Sequence, residues 1–219
     1  MNLAVITSGF LPVPATKGGA VENLVENLLN ENEKQGQINF NIFSVFDEDA
    51  LIKSKNFKKT KFIFIKINAL VKIFDKVIFF IAKNILRKKN SHSYRFIIQR
   101  LYFLRKCSNF LKINDYDKVL LENHPSQYLA LKWHKNYIKY CNRYYYHCHN
   151  EFPSEYGCHD IIKNTNKIIC VSEFRKKNVM QYLNLGENKF CVLKNGIDMI
   201  RFKKKIDLKK LEDLKKKYQ

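Results

Sequence analysis

The run Leu3-Ala4-Val5-Ile6, closed by Thr7-Ser8-Gly9 and followed by Gly18-Gly19-Ala20-Val21-Glu22-Asn23-Leu24-Val25, decides the fold. Four uninterrupted apolar residues ended by a turn signal predict a strand buried on both faces, as in a parallel sheet. Val21, Leu24, Val25 and Leu28 then recur at i, i+3, i+4 and i+7, which predicts a helix burying that face. Gly36 supplies the stop signal.

The same grammar continues along the chain. Residues 38–46 alternate (Ile38, Phe40 and Ile42 against Asn39, Asn41 and Phe43) and predict a second strand. Further strands are predicted over 62–67, 117–121, 144–147, 167–171 and 189–193. Helices are predicted over about 69–88 and 94–111, through Tyr128, Leu131 and Trp133, over 172–183 with Ser172 as N-cap, and over 208–218. Strands alternating with helices predict an α/β fold with a doubly wound, mostly parallel, Rossmann-like sheet. The turn dipeptide Asn195-Gly196 marks a boundary, with one domain over 1–195 and a junction leading into another over 196–219.

Composition narrows the function classes. Of 219 residues, 46% are hydrophobic and 14% aromatic, which supports a packed core and excludes disorder. The formal net charge of +20 favours anionic partners, although heavy use of Lys, Asn, Ile and Phe makes part of it a matter of composition. The basic residues spread over many elements and match no nucleic-acid-binding module, so nucleic acid is not expected as a partner. Six cysteines show no paired framework, and Cys170 within Ile168-Ile169-Cys170-Val171 reads as a small apolar strand residue. The N-terminus has no basic segment ahead of its short apolar run, and no stretch reaches the ~18 apolar residues of a membrane span. A cytoplasmic location is expected.

In an open parallel sheet, ligands bind beyond the C-terminal strand ends. Four loops fall there. Gly18 and Gly19 precede a helix N-terminus, where backbone N–H groups suit a phosphate, although glycines there also suit a tight loop-to-helix join. His124 lies in Glu122-Asn123-His124-Pro125-Ser126. His147, His149 and Asn150 share one loop, with both histidines on one face of the strand and Cys148 on the other. Ser172 and Glu173 begin a helix. A zinc site would recruit His147, His149, Cys158 and His159, but that spacing is not the ordinary one and no metal is assigned. Asp47-Glu48-Asp49 imitates a metal-binding Asp-x-Asp, yet it follows the second strand and reads as a solvated acidic loop.

These loops carry a resemblance. The segments 14–24 and 116–125, then Tyr146-His147-Cys148-His149-Asn150, Ile168-Ile169-Cys170-Val171-Ser172-Glu173 and Val192-Leu193-Lys194-Asn195-Gly196-Ile197-Asp198 through Arg201-Phe202, resemble family 4 glycosyltransferases of the GT-B fold. The resemblance covers nearly the whole chain, as an N-terminal, acceptor-side domain. It implies transfer of a sugar from a UDP- or GDP-type donor to a glycan or lipid-linked acceptor, with retention and without cofactor or metal. It implies that His149, with His147 as rival, hydrogen-bonds the transferred sugar. Gly18 and Gly19 would meet phosphates or acceptor, His124 the acceptor side, and Asn150, Ser172 and Glu173 the cleft. The family's basic pair and Glu-x7-Glu motif for the donor do not occur before Gln219. The expectation is therefore a domain that needs a donor-binding domain, on the same or a partner chain, or else a non-catalytic Rossmann-like subunit supporting a partner glycosyltransferase.

One more stretch stands out. Lys72, Lys76, Lys83 and Arg87 fall on one narrow arc of a helix that is otherwise largely apolar, with Phe79 near them. A core helix with a solvated lysine stripe explains this, and so does an amphipathic helix lying on the anionic inner face of a membrane.

Overall fold

The computed structural model describes residues 1–87 and 94–196. The sequence-predicted helix over 208–218, the Ile197-Asp198 and Arg201-Phe202 parts of the resemblance and the last residue of the helix over 69–88 lie outside them.

The elements in chain order are β1 (Asn2–Ile6), α1 (Ala20–Gln35), β2 (Asn39–Val45), α2 (Glu48–Ser54), β3 (Thr60–Ile65), α3 (Ala69–Phe80), α4 (Ile97–Ile113) and β4 (Lys118–Glu122). They continue with α5 (Tyr128–Lys132), α6 (Asn136–Lys139), β5 (Tyr144–Cys148), α7 (His159–Lys163), β6 (Lys167–Cys170), α8 (Glu173–Leu183) and β7 (Phe190–Val192). The strands form one seven-stranded sheet in the order β3-β2-β1-β4-β5-β6-β7, and every neighbouring pair is parallel. The order reverses between β1 and β4, so their C-terminal ends open the crevice that this topology reserves for ligands.

Gln127 fixes that crevice. Its buried side-chain amide donates toward Ile6 O (2.9 Å), Thr7 O (2.7 Å) and Glu122 O (2.7 Å), tying the ends of β1 and β4 together. Four tyrosines fill the core beneath, and each hydroxyl has a partner. Tyr128 meets Thr165, Tyr140 donates to Leu111 O and Asn114 O, Tyr144 to Ile161 O and Tyr146 to Asn123 O. A buried phenol therefore adds apolar area without leaving a polar group unpaired.

Helix α1 corrects the sequence reading by one position. The buried residues are Glu22, Val25, Glu26, Leu29 and Asn32, and Leu28 is exposed. The apolar periodicity missed this because two carboxylates occupy inward positions with partners of their own. Glu22 accepts from Ser8 Oγ (2.8 Å), and Glu26 accepts from Ala15 N (2.7 Å) and pairs with Lys53. Gly36 ends the helix in the left-handed region at φ 70°, donating its N–H to Asn32 O, as the stop signal predicts.

Helix α3 departs further. Val71, Asp75, Ile78 and Ala82 face inward, while Leu70 (61% exposed), Phe74 (60%), Phe80 (57%) and Ile85 (64%) face out. The apolar residues of this helix are thus split between an inward face and an exposed flank. Asp75, the buried charge, accepts from Ile98 N and Gln99 N (2.8 Å each) and so caps the start of α4 from a distance. Past Phe80 the helix widens into a π-turn over Ile81–Ile85 and stops at Arg87, whose φ is +44°.

Candidate functional site

Two strand ends converge on one cluster. Glu122 closes β4, His147 lies in β5 and His149 follows it, and Glu122 Oε1 stands 2.6 Å from His149 Nε2 and 3.0 Å from His147 Nδ1. Burial alone would raise the Glu122 pKa. The hydrogen bonds from His147 and then His149 outweigh it and hold the carboxyl below the ordinary range. An ionised carboxylate cannot donate, so both ring nitrogens facing it carry hydrogens. The 3.2 Å approach of His147 Nδ1 to His149 Nε2 is then a contact between two donors sharing one acceptor. His149 keeps Nδ1 for another partner, and His147 Nε2 is buried with none among the described residues.

The sequence reading that both histidines share a face and Cys148 turns away fits this geometry. Cys148 is buried beside its register partner Cys170. Glu122, His147 and His149 are also the residues that could hold a metal ion, with their ligand atoms within 4.8 Å of one another. The alternative set is not assembled among the described residues: the Cys158 thiol faces Tyr156 O and His159 pairs with Glu155.

The glycine loop lies across the crevice. Gly18 and Gly19 have φ values of 79° and 96°, a region L residues rarely adopt. At Gly18 a Cβ would meet open space, whereas at Gly19 it would run into Glu22 and Leu11. Gly19 therefore answers to packing as well as to conformation. Burial raises the pKa of Glu22, only partly offset by the Ser8 hydroxyl, and the charges of Glu122 and His149 reach it. Asp47-Glu48-Asp49 has a local role: Asp47 caps α2 at Ala50 N (3.0 Å) and holds Thr16 Oγ1 (2.9 Å), and Lys17 lies 3.1 Å from Asp49.

His124 faces a different neighbour. Its Nε2 is 3.1 Å from Arg100 Nη1, and Nδ1 is 2.8 Å from Ser126 Oγ. Arginine has no lone pair to offer, so Nε2 accepts and the ring is neutral. Burial, with Arg100 second, pulls its pKa down from 6.5 to about 4. Asn150 bridges to Asn123 Oδ1 (3.0 Å), linking the loops after β4 and β5. Ser172 spends its hydroxyl capping α8 at Arg175 N (3.1 Å), and Glu173 is exposed beside Lys176.

The sequence reading missed Glu122, Glu22 and Arg100 as members of this region. Glu122 had a signal, since a carboxylate ending an apolar strand at the ligand edge is costly unless it is held by partners. Arg100 had none.

No protein-family model matches the chain, and no curated protein matches it. Among solved structures, a glycosyltransferase from Rickettsia africae ESF-5 superposes with a TM-score of 0.53 at 17% identity, covering 99% of this chain and 49% of that one. HepE (Alr3699) of Anabaena, solved in complex with UDP, gives 0.53 at 12% identity over 97% of this chain and 49% of its own. The fold is one found in glycosyltransferases. The chain spans about half the length of both.

Proposed function

We propose that this chain is the N-terminal, acceptor-side domain (residues 1–195) of a retaining, family 4-type glycosyltransferase. The single observation that carries the reading is the Glu122–His147–His149 cluster, set beside a glycine loop at the switch point of a sheet shared with solved glycosyltransferases. In this reading Glu122 fixes the His149 ring by taking its Nε2–H, leaving Nδ1 to hydrogen-bond a hydroxyl of the transferred sugar. A dipole held in place before the reaction stabilises developing charge without reorganising, which is where such a residue gains its effect. His147 buttresses the ring. Gly18 and Gly19 present backbone N–H groups toward phosphate or acceptor, and His124 and Asn150 line the acceptor side. Ser172 and Glu173 sit at the cleft floor.

The donor, a UDP- or GDP-sugar, is bound mainly by a second domain, supplied beyond residue 196 or by a partner chain. The acceptor is a glycan or lipid-linked molecule at the inner face of a membrane. Support for the membrane comes from α3, where Leu70, Ile73, Phe74, Val77, Phe80 and Ile81 are exposed with Lys72, Lys76 and Lys83 among them. Apolar insertion flanked by lysine suits an anionic leaflet.

The test is radiolabelled sugar transfer from UDP- and GDP-sugars by the chain joined to a donor-binding domain, with the 219-residue chain alone as control. Turnover should require the second domain and fall at least about tenfold in His149→Ala, the loss expected of one positioned hydrogen bond in a transition state. Equal turnover by His149→Ala and wild type would refute the assignment.

A further inference from the structure

Arg100 is a guanidinium with no counter-charge in contact among the described residues. It projects from the first turns of α4, and burial pulls its pKa down, partly offset by Tyr156 and Asp75. Among the described residues no carboxylate pairs with it. Asp75 acts on it from a distance, but both Asp75 oxygens are spent on the α4 backbone. Its hydrogen bond goes to the neutral His124 ring, and its Nε is buried with no partner among the described residues. A largely desolvated charge left this way is costly, and the buried Nε–H is a donor with no acceptor among the described residues.

The surroundings are shaped around that group. Arg100 lies 5.9 Å from the Phe10 ring centroid, Phe10 stacks on Phe96 at 5.8 Å and 13°, and Arg95 covers Phe96 at 5.3 Å. His124, with Tyr156 at 5.7 Å between ring centroids, forms the opposite wall. Phe10 belongs to the loop after β1, and His124 sits two residues beyond Glu122. The corner therefore opens onto the same strand ends as the histidine cluster, while α4 connects it to α3 through Asp75. A planar fork backed by aromatic rings suits a tetrahedral oxyanion rather than a neutral hydroxyl.

We propose that Arg100, between Phe10 and His124, seats a phosphate mono- or diester carried by the acceptor. The acceptor role rests on the glycosyl-transfer reading; the anion seat does not. The phosphate could belong to a lipid headgroup or to a soluble phosphorylated molecule, and the two sources are separable.

The experiment follows the Arg100 Nε–H signal by NMR in the 219-residue chain, assigned by its disappearance in Arg100→Lys. One arm titrates inorganic phosphate against chloride at matched ionic strength. The other adds phosphatidylcholine vesicles doped with phosphatidic acid, against the same vesicles doped with oleic acid. Phosphate or phosphatidic acid should shift the signal, and Arg100→Lys and Arg100→Gln should each weaken binding about tenfold or more, the loss of one charge-assisted bond. A response to phosphatidic acid alone assigns the lipid source, and one to free phosphate the soluble source. No shift in the wild-type signal overturns the proposal even if a variant fails to fold, and so does an equal response to oleic acid and phosphatidic acid vesicles. Arg100-dependent phosphate binding in a protein whose two-domain form transfers no sugar would refute the acceptor role and the glycosyl-transfer reading together, leaving the anion seat.

Discussion

Glu122 is the position where the structure makes the sharpest demand. It is 3% exposed, its histidine partners are partly buried, and one oxygen serves both. Glu122→Ala leaves two partly buried ring donors without their buried acceptor, so we expect a loss of about 3 kcal/mol, up to about 5 kcal/mol, the range for breaking a buried charged pair by removing one side. In a domain of this size that lowers Tm by roughly 6–20 °C, at about 2–4 °C per kcal/mol. Glu122→Gln keeps the shape but exchanges charge-assisted bonds for weaker neutral ones and opposes an amide N–H to a ring N–H, so about 1–3 kcal/mol is expected. The pH dependence adds a second handle. The folded-state pKa of Glu122 lies below its ordinary 4.5, so its contribution is present above pH 4.5 and is lost as pH falls through the folded value. Urea denaturation of wild type and Glu122→Ala at pH 7 and at successively lower pH measures both effects, and the gap should narrow in acid. A gap under about 1 kcal/mol at pH 7 would refute the account of the cluster, since an unpaired buried group alone costs that much.

The neighbouring positions give further tests. His124 has a folded pKa of about 4 against an ordinary 6.5, so the neutral ring is the folded form and stability falls as pH drops through that window. The wild-type loss there that is absent from His124→Gln should be about 3 kcal/mol at pH 4, read by the same urea titration. Gly18→Ala should cost about 1–2 kcal/mol from backbone handedness alone, and Gly19→Ala more, because its Cβ also meets Glu22 and Leu11; equal losses by thermal melting would contradict the packing described. Phe74→Glu should leave stability within about 0.5 kcal/mol, as for other exposed sites, and weaken sedimentation with anionic vesicles. Unchanged vesicle binding would remove α3 from the membrane reading.

The sheet was legible because buried parallel strands write themselves as short apolar runs, and β1, β4, β5 and β6 all appear where such runs lie. Boundaries drifted where residues serve a neighbour. The third strand starts at Thr60, whose hydroxyl meets Glu33, two positions before its apolar run. Helix α2 escaped notice because its start is the acidic triplet, which reads as loop until Asp47 is seen capping it. The inward face of α1 was misplaced, and that of α3 left open, for one reason: hydrophobic periodicity does not register a carboxylate buried with its own donors, and Glu22, Glu26 and Asp75 are all of that kind. In the candidate site the histidines were legible as a pair on one strand face. Glu122 carried a signal at the ligand edge but its partners, 25 residues away or more, could not be named, and Arg100, 24 residues from His124, carried none.

The two oxygens of Asp75 join elements that the chain separates. One side of the joint is a helix with its greasy flank turned outward; the other is the start of α4, where Gln99 reaches on to hold Gly9 O at 3.1 Å. Helix α3 is therefore tied to the loop after β1 through two side chains, Asp75 and Gln99, in addition to its packing on the core. The outward flank of α3 and the corner formed by Phe10 and Arg100 thus hang from the same anchor, the first turn of α4.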